Sequence, residues 1–225
     1  LIICILSLKQ KAMKADDFDT DIIEVLRESN KKIGEQLEGL SRDDFSEVFL
    51  FFDYDVHQTN LGKTDDGDVI NQMLESFDNE TENGKLYISY PMVEALRDFE
   101  AGKCGNGVNC FVEISDLAEY KNISSRNSLN PHFRDYNIDV WKEIVDVFSM
   151  KISCLLGNAE VISYEQYLDE ANPHDIFICE QALAGNNKVF IISAFPEFLV
   201  DYFGMKLWRT CVKHAKNQLD ICNCK

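Results

Sequence analysis

Apolar residues fall in this chain in two ways, as short unbroken runs and as stripes at helical spacing. The sharpest run is Val48-Phe-Leu-Phe-Phe52, too short for a free-standing helix and apolar on both faces, as a parallel strand covered by helices on each side is. Lys85 to Ser89 reads as a second short strand, after the chain breaker Asn83-Gly84. Between and around them the period becomes helical. Ile22, Ile23, Leu26 and Ile33 share a face over Asp19 to Leu37, with Thr20 or Asp19 as the cap, and Val69, Ile70, Met73, Leu74 and Phe77 do so over Asp68 to Phe77. Pro91 opens a further helix at its permitted first turn, carrying Met92, Val93, Leu96 and Phe99. Strand, helix, strand, helix implies a right-handed βαβ unit and a parallel sheet.

Beyond Phe99 the texture changes. Ala101 to Asn109 is a loop by composition, Cys110 to Ile114 a short strand, and Tyr120 to Pro131 carries turn chemistry. Ile138, Trp141, Ile144, Val145, Phe148, Ile152 and Leu155 then make one long amphipathic helix, with helical stretches expected over Tyr164 to Leu183, Val189 to Tyr202 and Met205 to Leu219. The expected organisation is an α/β domain over 1–115 and a mainly α-helical C-terminal lobe over 116–225. The first apolar run, Leu1 to Leu8, reads as a core strand or a helical turn. It is far short of the roughly 20 residues that span a bilayer, and its lysines, Lys9, Lys11 and Lys14, follow rather than precede it as they do in a signal peptide.

Composition narrows the classes. With 225 residues, 45% of them hydrophobic and only 4 Pro, the chain can bury a real core. A formal charge of −17 repels phosphate backbones and anionic membranes unless cations are gathered locally or brought by a partner, which weighs against a simple nucleic-acid-coating role. Eight cysteines without a secretory leader fit a reducing, cytoplasmic setting and no disulfides. Neither Cys104 with Cys110 nor Cys222 with Cys224 and His214 has the spacing of a structural zinc site. The aromatic residues Phe190, Phe195, Phe198, Tyr202, Phe203 and Trp208 are able to stack bases, but their helical spacing reads first as core.

The candidate chemistry lies where the first strand ends. Val48 to Phe52 runs directly into Asp53-Tyr-Asp55, and residues two apart on a strand face the same side, roughly 6 to 7 Å apart. In parallel sheets ligands collect beyond the carboxyl ends of the strands. Two like charges held together there repel, and a hard cation such as Mg2+ or Mn2+ relieves the repulsion. The bland reading is an acidic turn in solvent.

An apolar strand ending in Asp53-x-Asp55, a helix, and a second strand end carrying Ser89-Tyr-Pro91-Met-Val-Glu94 resemble the metal-binding half of a TOPRIM domain. The variant they resemble is that of RloB-like and OLD-type anti-phage defence nucleases, over roughly Phe45 to Phe99. The resemblance implies a TOPRIM-like parallel sheet flanked by helices and divalent-metal-dependent cleavage of nucleic-acid phosphodiesters, DNA or RNA. It makes Asp53, Asp55 and Glu94 metal ligands, with Glu94 alternatively a general base and His57 a donor to a phosphate oxygen. Lys63, Lys85 and Arg97 are the cations nearest to hand for the substrate backbone. Each has a plain alternative, Glu94 as a first-turn helix acid, His57 as a loop histidine and the cations as surface charges.

One family feature is missing. TOPRIM domains carry a glutamate at the end of an earlier strand, and the glutamates before Asp53 (Glu24, Glu28, Glu35, Glu38) fall in a predicted helix. Either that strand precedes Leu1, as the lack of an initiator methionine suggests, or the fold is kept without the activity. The second case is a non-catalytic interaction module docking to a partner such as an ATPase, which the charge of −17 favours. A third reading is a haloacid-dehalogenase-type phosphatase, with Asp53 as nucleophile and Asp55 as acid/base. Against it, His57 stands where that family has threonine or valine.

Overall fold

The computed structural model describes residues 2–6, 21–29, 31–54, 69–102, 110–129 and 132–213. The chain is mixed α/β, with small sheets among many helices, and divides into two compact units, Leu1–Tyr87 and Ile88–Lys225. No helix among the described residues is long and apolar enough to cross a membrane.

The first unit is organised around β2 (Val48–Asp53), in which residues 48–52 are all buried. Its neighbour on one side is β1 (Ile2–Leu6), paired parallel from Ile2 opposite Val48 to Leu6 opposite Phe52. On the other side lies β4 (Gly84–Ser89), followed outward by the two-residue strand β3 (Asp78–Asn79), antiparallel to β4. Gly84 at the start of β4 lies against Val48 at the start of β2, and the Tyr87 ring stacks on Phe51 at 5.6 Å, so β2 and β4 run the same way. The sheet is therefore mixed, with its parallel part at β1, β2 and β4.

Between β1 and β2 come α1 (Ile22–Ser29) and α2 (Lys31–Gln36), two short helices where the apolar stripe predicts a single span. The cap of α1 is Asp21 rather than Thr20 or Asp19. Its carboxylate accepts from Ile23 N at 2.8 Å and from Arg42 N at 3.2 Å, so one acid caps the helix and holds the turn ahead of β2. Arg42 in turn donates to Phe45 O at 2.5 Å and to Glu80 O at 2.7 Å, and Glu80 O also accepts from Val48 N at 2.9 Å. The entrance to β2 is thereby fastened to the turn after β3. α3 (Val69–Ser76) precedes β3, with Met73 and Leu74 buried, and Phe77 just after it is buried as well.

In the second unit the extended backbone continues past β4, since Tyr90 N donates to Ile192 O and Ile192 N to Tyr90 O at 2.7 and 2.9 Å. This pairing moves the helical start. Pro91, preceded by a cis peptide bond, is not in the first turn of a helix, and the turns that follow are a 3-10 segment, Val93–Ala101, with Met92 as its extended cap. Leu96 and Phe99 of this segment pack with Tyr136, Ile144, Val147 and Phe148.

α4 (Leu117–Asn127) occupies a stretch whose composition predicts turns. Its buried positions Leu117, Tyr120 and Ser124 keep helical spacing, but a serine stands where an apolar residue would have marked the stripe. α5 (Ile138–Leu155) has the predicted bounds and is capped by Asn137, whose side chain accepts from the amides of Asp139 and Val140. The stretch over Tyr164 to Leu183 divides into α6 (Tyr164–Glu170) and α7 (Pro173–Ala184), because Pro173 tolerates only a first turn. The residues from Val189, expected to be helical, begin as strand instead. β6 (Lys188–Phe190) pairs antiparallel with β5 (Phe111–Glu113), as a run of β-branched and aromatic residues favours. α8 (Ala194–Cys211) starts at the cap Ser193 and is kinked at Gly204, where φ is 65°.

Two further expectations are corrected. Cys154 is disulfide-bonded where none was expected. Of the aromatic group, Phe190, Phe198 and Trp208 are buried, but Tyr202 and Phe203 are 44% and 55% exposed and form no part of the core.

The close approach of β4 to β2 rests on Gly84, whose φ is +120° and whose added Cβ would meet Val48 Cγ1 at 3.3 Å. Gly84→Ala is expected to destabilise the protein by about 1–3 kcal/mol. A chemical denaturation midpoint equal to that of the wild type would show that the two strands do not need this contact.

Candidate functional site

In the first unit, the carboxyl end of β2 carries Asp53, half-buried after the buried residues 48–52. Asp55, His57 and Lys63 lie outside the described residues, so the second half of the acidic pair has no described geometry. Lys85, on β4, holds its ammonium 5.8 Å from the centre of the Tyr87 ring. A lysine so placed lies along the strand it belongs to.

In the second unit the 3-10 segment Val93–Ala101 places Glu94 in a buried position, 7% exposed. One face of α4 closes over it. Lys121 Nζ pairs with Glu94 Oε1 at 2.9 Å, and Ser124 Oγ donates to the Glu94 carbonyl at 3.2 Å. Tyr120 donates its hydroxyl to the Asp98 carboxylate. Arg97 points to Ser125, with a 2.9 Å hydrogen bond, and lies over the Phe133 ring at 5.0 Å.

From α5 comes Lys151, fully buried, whose ammonium donates to the Asp98 carbonyl at 3.4 Å and sits 5.1 Å from the Phe148 ring. Burial pushes the Asp98 carboxyl above the usual carboxylate range, and the Lys151 charge and the Tyr120 hydroxyl offset this only in part. The Tyr120 phenol is held far above its ordinary value, first by burial and then by the charges of Asp98 and Glu94. At neutral pH it is a hydrogen-bond donor, not a base.

Glu94, Asp98, Tyr120, Lys121, Ser124 and Lys151 thus form one polar cluster between the 3-10 segment, α4 and α5, reached from solvent by Lys121. Of these the sequence singles out Glu94 alone. Asp98 is four residues after it, about one turn on in an α-helical reading, and Lys151 interrupts an apolar stripe between Phe148 and Leu155. Both are signals that a buried polar position is being built.

The donor set gives a divided answer on metal. Asp53 offers the hard oxygen that Mg2+ or Mn2+ takes. Glu94, as it stands, does not fit, because its carboxylate already holds a cation, the Lys121 ammonium. Among the described residues no group of three or more His, Cys, Asp or Glu side chains is placed to hold a metal ion. The chain matches no protein-family model, no curated protein and no solved structure.

A second buried acid lies apart from this cluster. Glu180 on α7 is wholly buried, with Oε2 accepting from Phe190 N at 3.0 Å and Oε1 accepting no hydrogen bond from the described residues. Burial holds its carboxyl well above the ordinary value of 4.5, against the pull of the Phe190 amide. An acid whose folded value is raised stabilises most below its unfolded value, and that contribution is lost as pH rises through the folded one. Wild-type stability is therefore expected to fall relative to Glu180→Gln as pH rises above the ordinary glutamate value of 4.5. Denaturation curves at a series of pH values check this, and two parallel profiles would refute the upward shift of the Glu180 carboxyl.

Proposed function

We propose that the chain is a divalent-metal-dependent nuclease or nuclease-like effector, acting on nucleic-acid phosphodiesters in the cytoplasm as part of phage defence. The observation that carries this reading is Asp53. It closes a strand that is flanked on both sides and buried over residues 48–52, at the carboxyl end where α/β sheets gather ligands, with Asp55 two residues further on. The likeness of this strand and of Ser89-Tyr-Pro91-Met-Val-Glu94 to the TOPRIM nucleases supplies the reaction class.

On this reading Asp53 and Asp55 are the residues that hold Mg2+ or Mn2+. Such an ion, when bound, neutralises charge on the phosphate and lowers the pKa of an attacking water. Asp53 contributes a carboxylate whose position is set by β2. Glu94, expected as a third ligand or general base, has its carboxylate engaged by Lys121 instead. Lys85 and Arg97, now against Tyr87 and Phe133, are candidates for the substrate backbone together with Lys63.

A second reading has an observation of its own. The Glu94–Lys121 pair neutralises the carboxylate internally, and a charge of −17 disfavours a polyanionic substrate, as a non-catalytic module docking to a partner ATPase would show. The two readings differ in what Asp53 does. Nicking of supercoiled plasmid, or cleavage of single-stranded RNA, is expected with Mn2+ or Mg2+. It is expected to drop at least about a hundredfold in Asp53→Asn. Absence of cleavage of either nucleic acid, together with no Mn2+ binding by calorimetry, would select the docking module. Asp53-dependent hydrolysis of an aryl phosphate without nucleic-acid cleavage would select the phosphatase instead.

A further inference from the structure

Tyr202 and Phe203 of α8 are 44% and 55% exposed, and folding alone gives no reason for it, because large rings gain by burial. Apolar residues exposed singly are ordinary, but these two are in contact. Their rings meet edge-on at 5.0 Å, and the Tyr202 ring lies 5.5 Å from that of Phe198, which is buried. The pair sits on a fixed mount. The helix kinks just after it at Gly204, where the Tyr164 hydroxyl of α6 would lie 3.4 Å from an added Cβ, and Trp208 packs on Tyr164 and Tyr167 at 5.7 and 4.9 Å.

Charge around the pair runs against that of the chain. Residues 202–213 contain no acid, and Lys206, Arg209 and Lys213 among them are exposed, in a chain whose net charge is −17. Lys206 and Arg209, three residues apart, share one helical face, and neither forms an ion pair among the described residues. Asp201, the acid just before the rings, is half-buried and close enough to Tyr167 of α6 to raise its phenol. Displayed rings beside displayed cations, with no acid between them, match a single strand of nucleic acid, which brings flat bases to stack and phosphates to neutralise. A duplex keeps its base faces inside its own stack, and an acidic peptide answers only the cations.

We propose that Tyr202, Phe203, Lys206 and Arg209 form a stacking platform for single-stranded nucleic acid. The platform deepens the nuclease reading by naming single strands as the substrate class, and it rests on that reading for what becomes of the strand. Holding the strand requires neither Asp53 nor a metal ion.

Fluorescence anisotropy of short labelled oligothymidylate and oligouridylate, with the full chain at low salt in EDTA, tests the platform. The wild type is expected to bind at least one of them, and more tightly than a duplex of the same length. Tyr202→Ala combined with Phe203→Ala is expected to weaken binding at least about fivefold. Phe203→Trp is expected to keep the affinity and to show tryptophan quenching on binding beyond that of the wild type. Lys206→Gln combined with Arg209→Gln is expected to weaken binding and to flatten its logarithmic salt dependence by about 0.7 for each cation removed. The exposed positions let these variants fold, which circular dichroism and the denaturation midpoint verify. No binding of either strand by the wild type, equal affinity for the duplex, or an affinity untouched by loss of both rings overturns the proposal. So does self-association of the wild type that the ring variant abolishes while no strand binds, which would make the face a protein interface. Strand binding that is intact while no cleavage occurs with Mn2+ removes the nuclease reading and leaves the platform. Cleavage that depends on Asp53 but is indifferent to the rings removes the platform alone.

Discussion

The first unit depends on β2 being covered everywhere. Its residues 48–52 are buried, with a strand on each edge, so the strand gains from burial on both faces, at about 1.5–3 kcal/mol for each large apolar side chain. That gain has to exceed the roughly 1–2 kcal/mol per residue lost in fixing the backbone. Burial on both faces has a cost in information. A half-buried strand resists a one-residue slip because the slip exposes its apolar side, whereas a strand apolar on both faces feels no such penalty. Register must come from elsewhere, and here it comes from the entrance: Val48 N on Glu80 O, Arg42 on the same carbonyl, and Gly84 against Val48. These contacts at one end decide which way Asp53 faces at the other, because a slip of one residue would turn it to the opposite side of the sheet.

How much of this was legible depends on whether a residue's role is local. Val48 to Phe52 and Ile138 to Leu155 were readable because their patterns run long enough to fix a period, and the structure has them as β2 and α5. Asp21 was passed over as a cap because Thr20 and Asp19 are equally good cap residues by type; the choice is made by Arg42 N, 21 residues away. Val189 and its neighbours fit a strand or a helix, and the pairing with β5 settles it. α4 was missed because Ser124, buried against the Glu94 carbonyl, breaks the apolar stripe at the position where the helix touches the polar cluster. The candidate site shows the same division. Asp53 was legible from the run before it, and Glu94 from its motif, but nothing adjacent to Lys121 in sequence points to Glu94, 27 residues before it. The Cys154 bond was illegible for a related reason, since eight cysteines admit many pairings and their spacing selects none.

The second unit keeps several ionisable groups out of water, and each is accommodated differently. Lys151 spends its ammonium on a backbone carbonyl and an aromatic face, Asp98 takes the Tyr120 hydroxyl, Glu94 takes Lys121, and Glu180 accepts from the Phe190 amide, its carboxyl pushed upward by burial. Three of these four belong to, or act on, the 3-10 segment Val93–Ala101. A nine-residue 3-10 segment is long for a form whose own hydrogen bonds have poor geometry. Its conformation is set from outside, by hydroxyls and ammonium groups from α4 and α5. Glu94 is accordingly positioned by the side chains around it more than by its own helix, and changes in α4 reach it directly.

The same accounting bears on how a polyanion is approached by a chain of charge −17. Several described cations serve internal ends. Arg27 and Arg42 donate to backbone carbonyls, Lys151 is buried, Lys121 answers Glu94, and Lys85 and Arg97 lie over aromatic rings. A nucleic acid bound through these six would therefore have to draw them away from roles that hold the fold together. Binding through a recruited cation avoids that conflict, because carboxylates such as Asp53 then become the attachment points and negative charge becomes an asset. A partner that brings its own basic surface resolves it equally well. What separates the two is geometry at the end of β2, since a divalent ion requires oxygens held within a few ångströms of one point whereas a basic partner requires only a field.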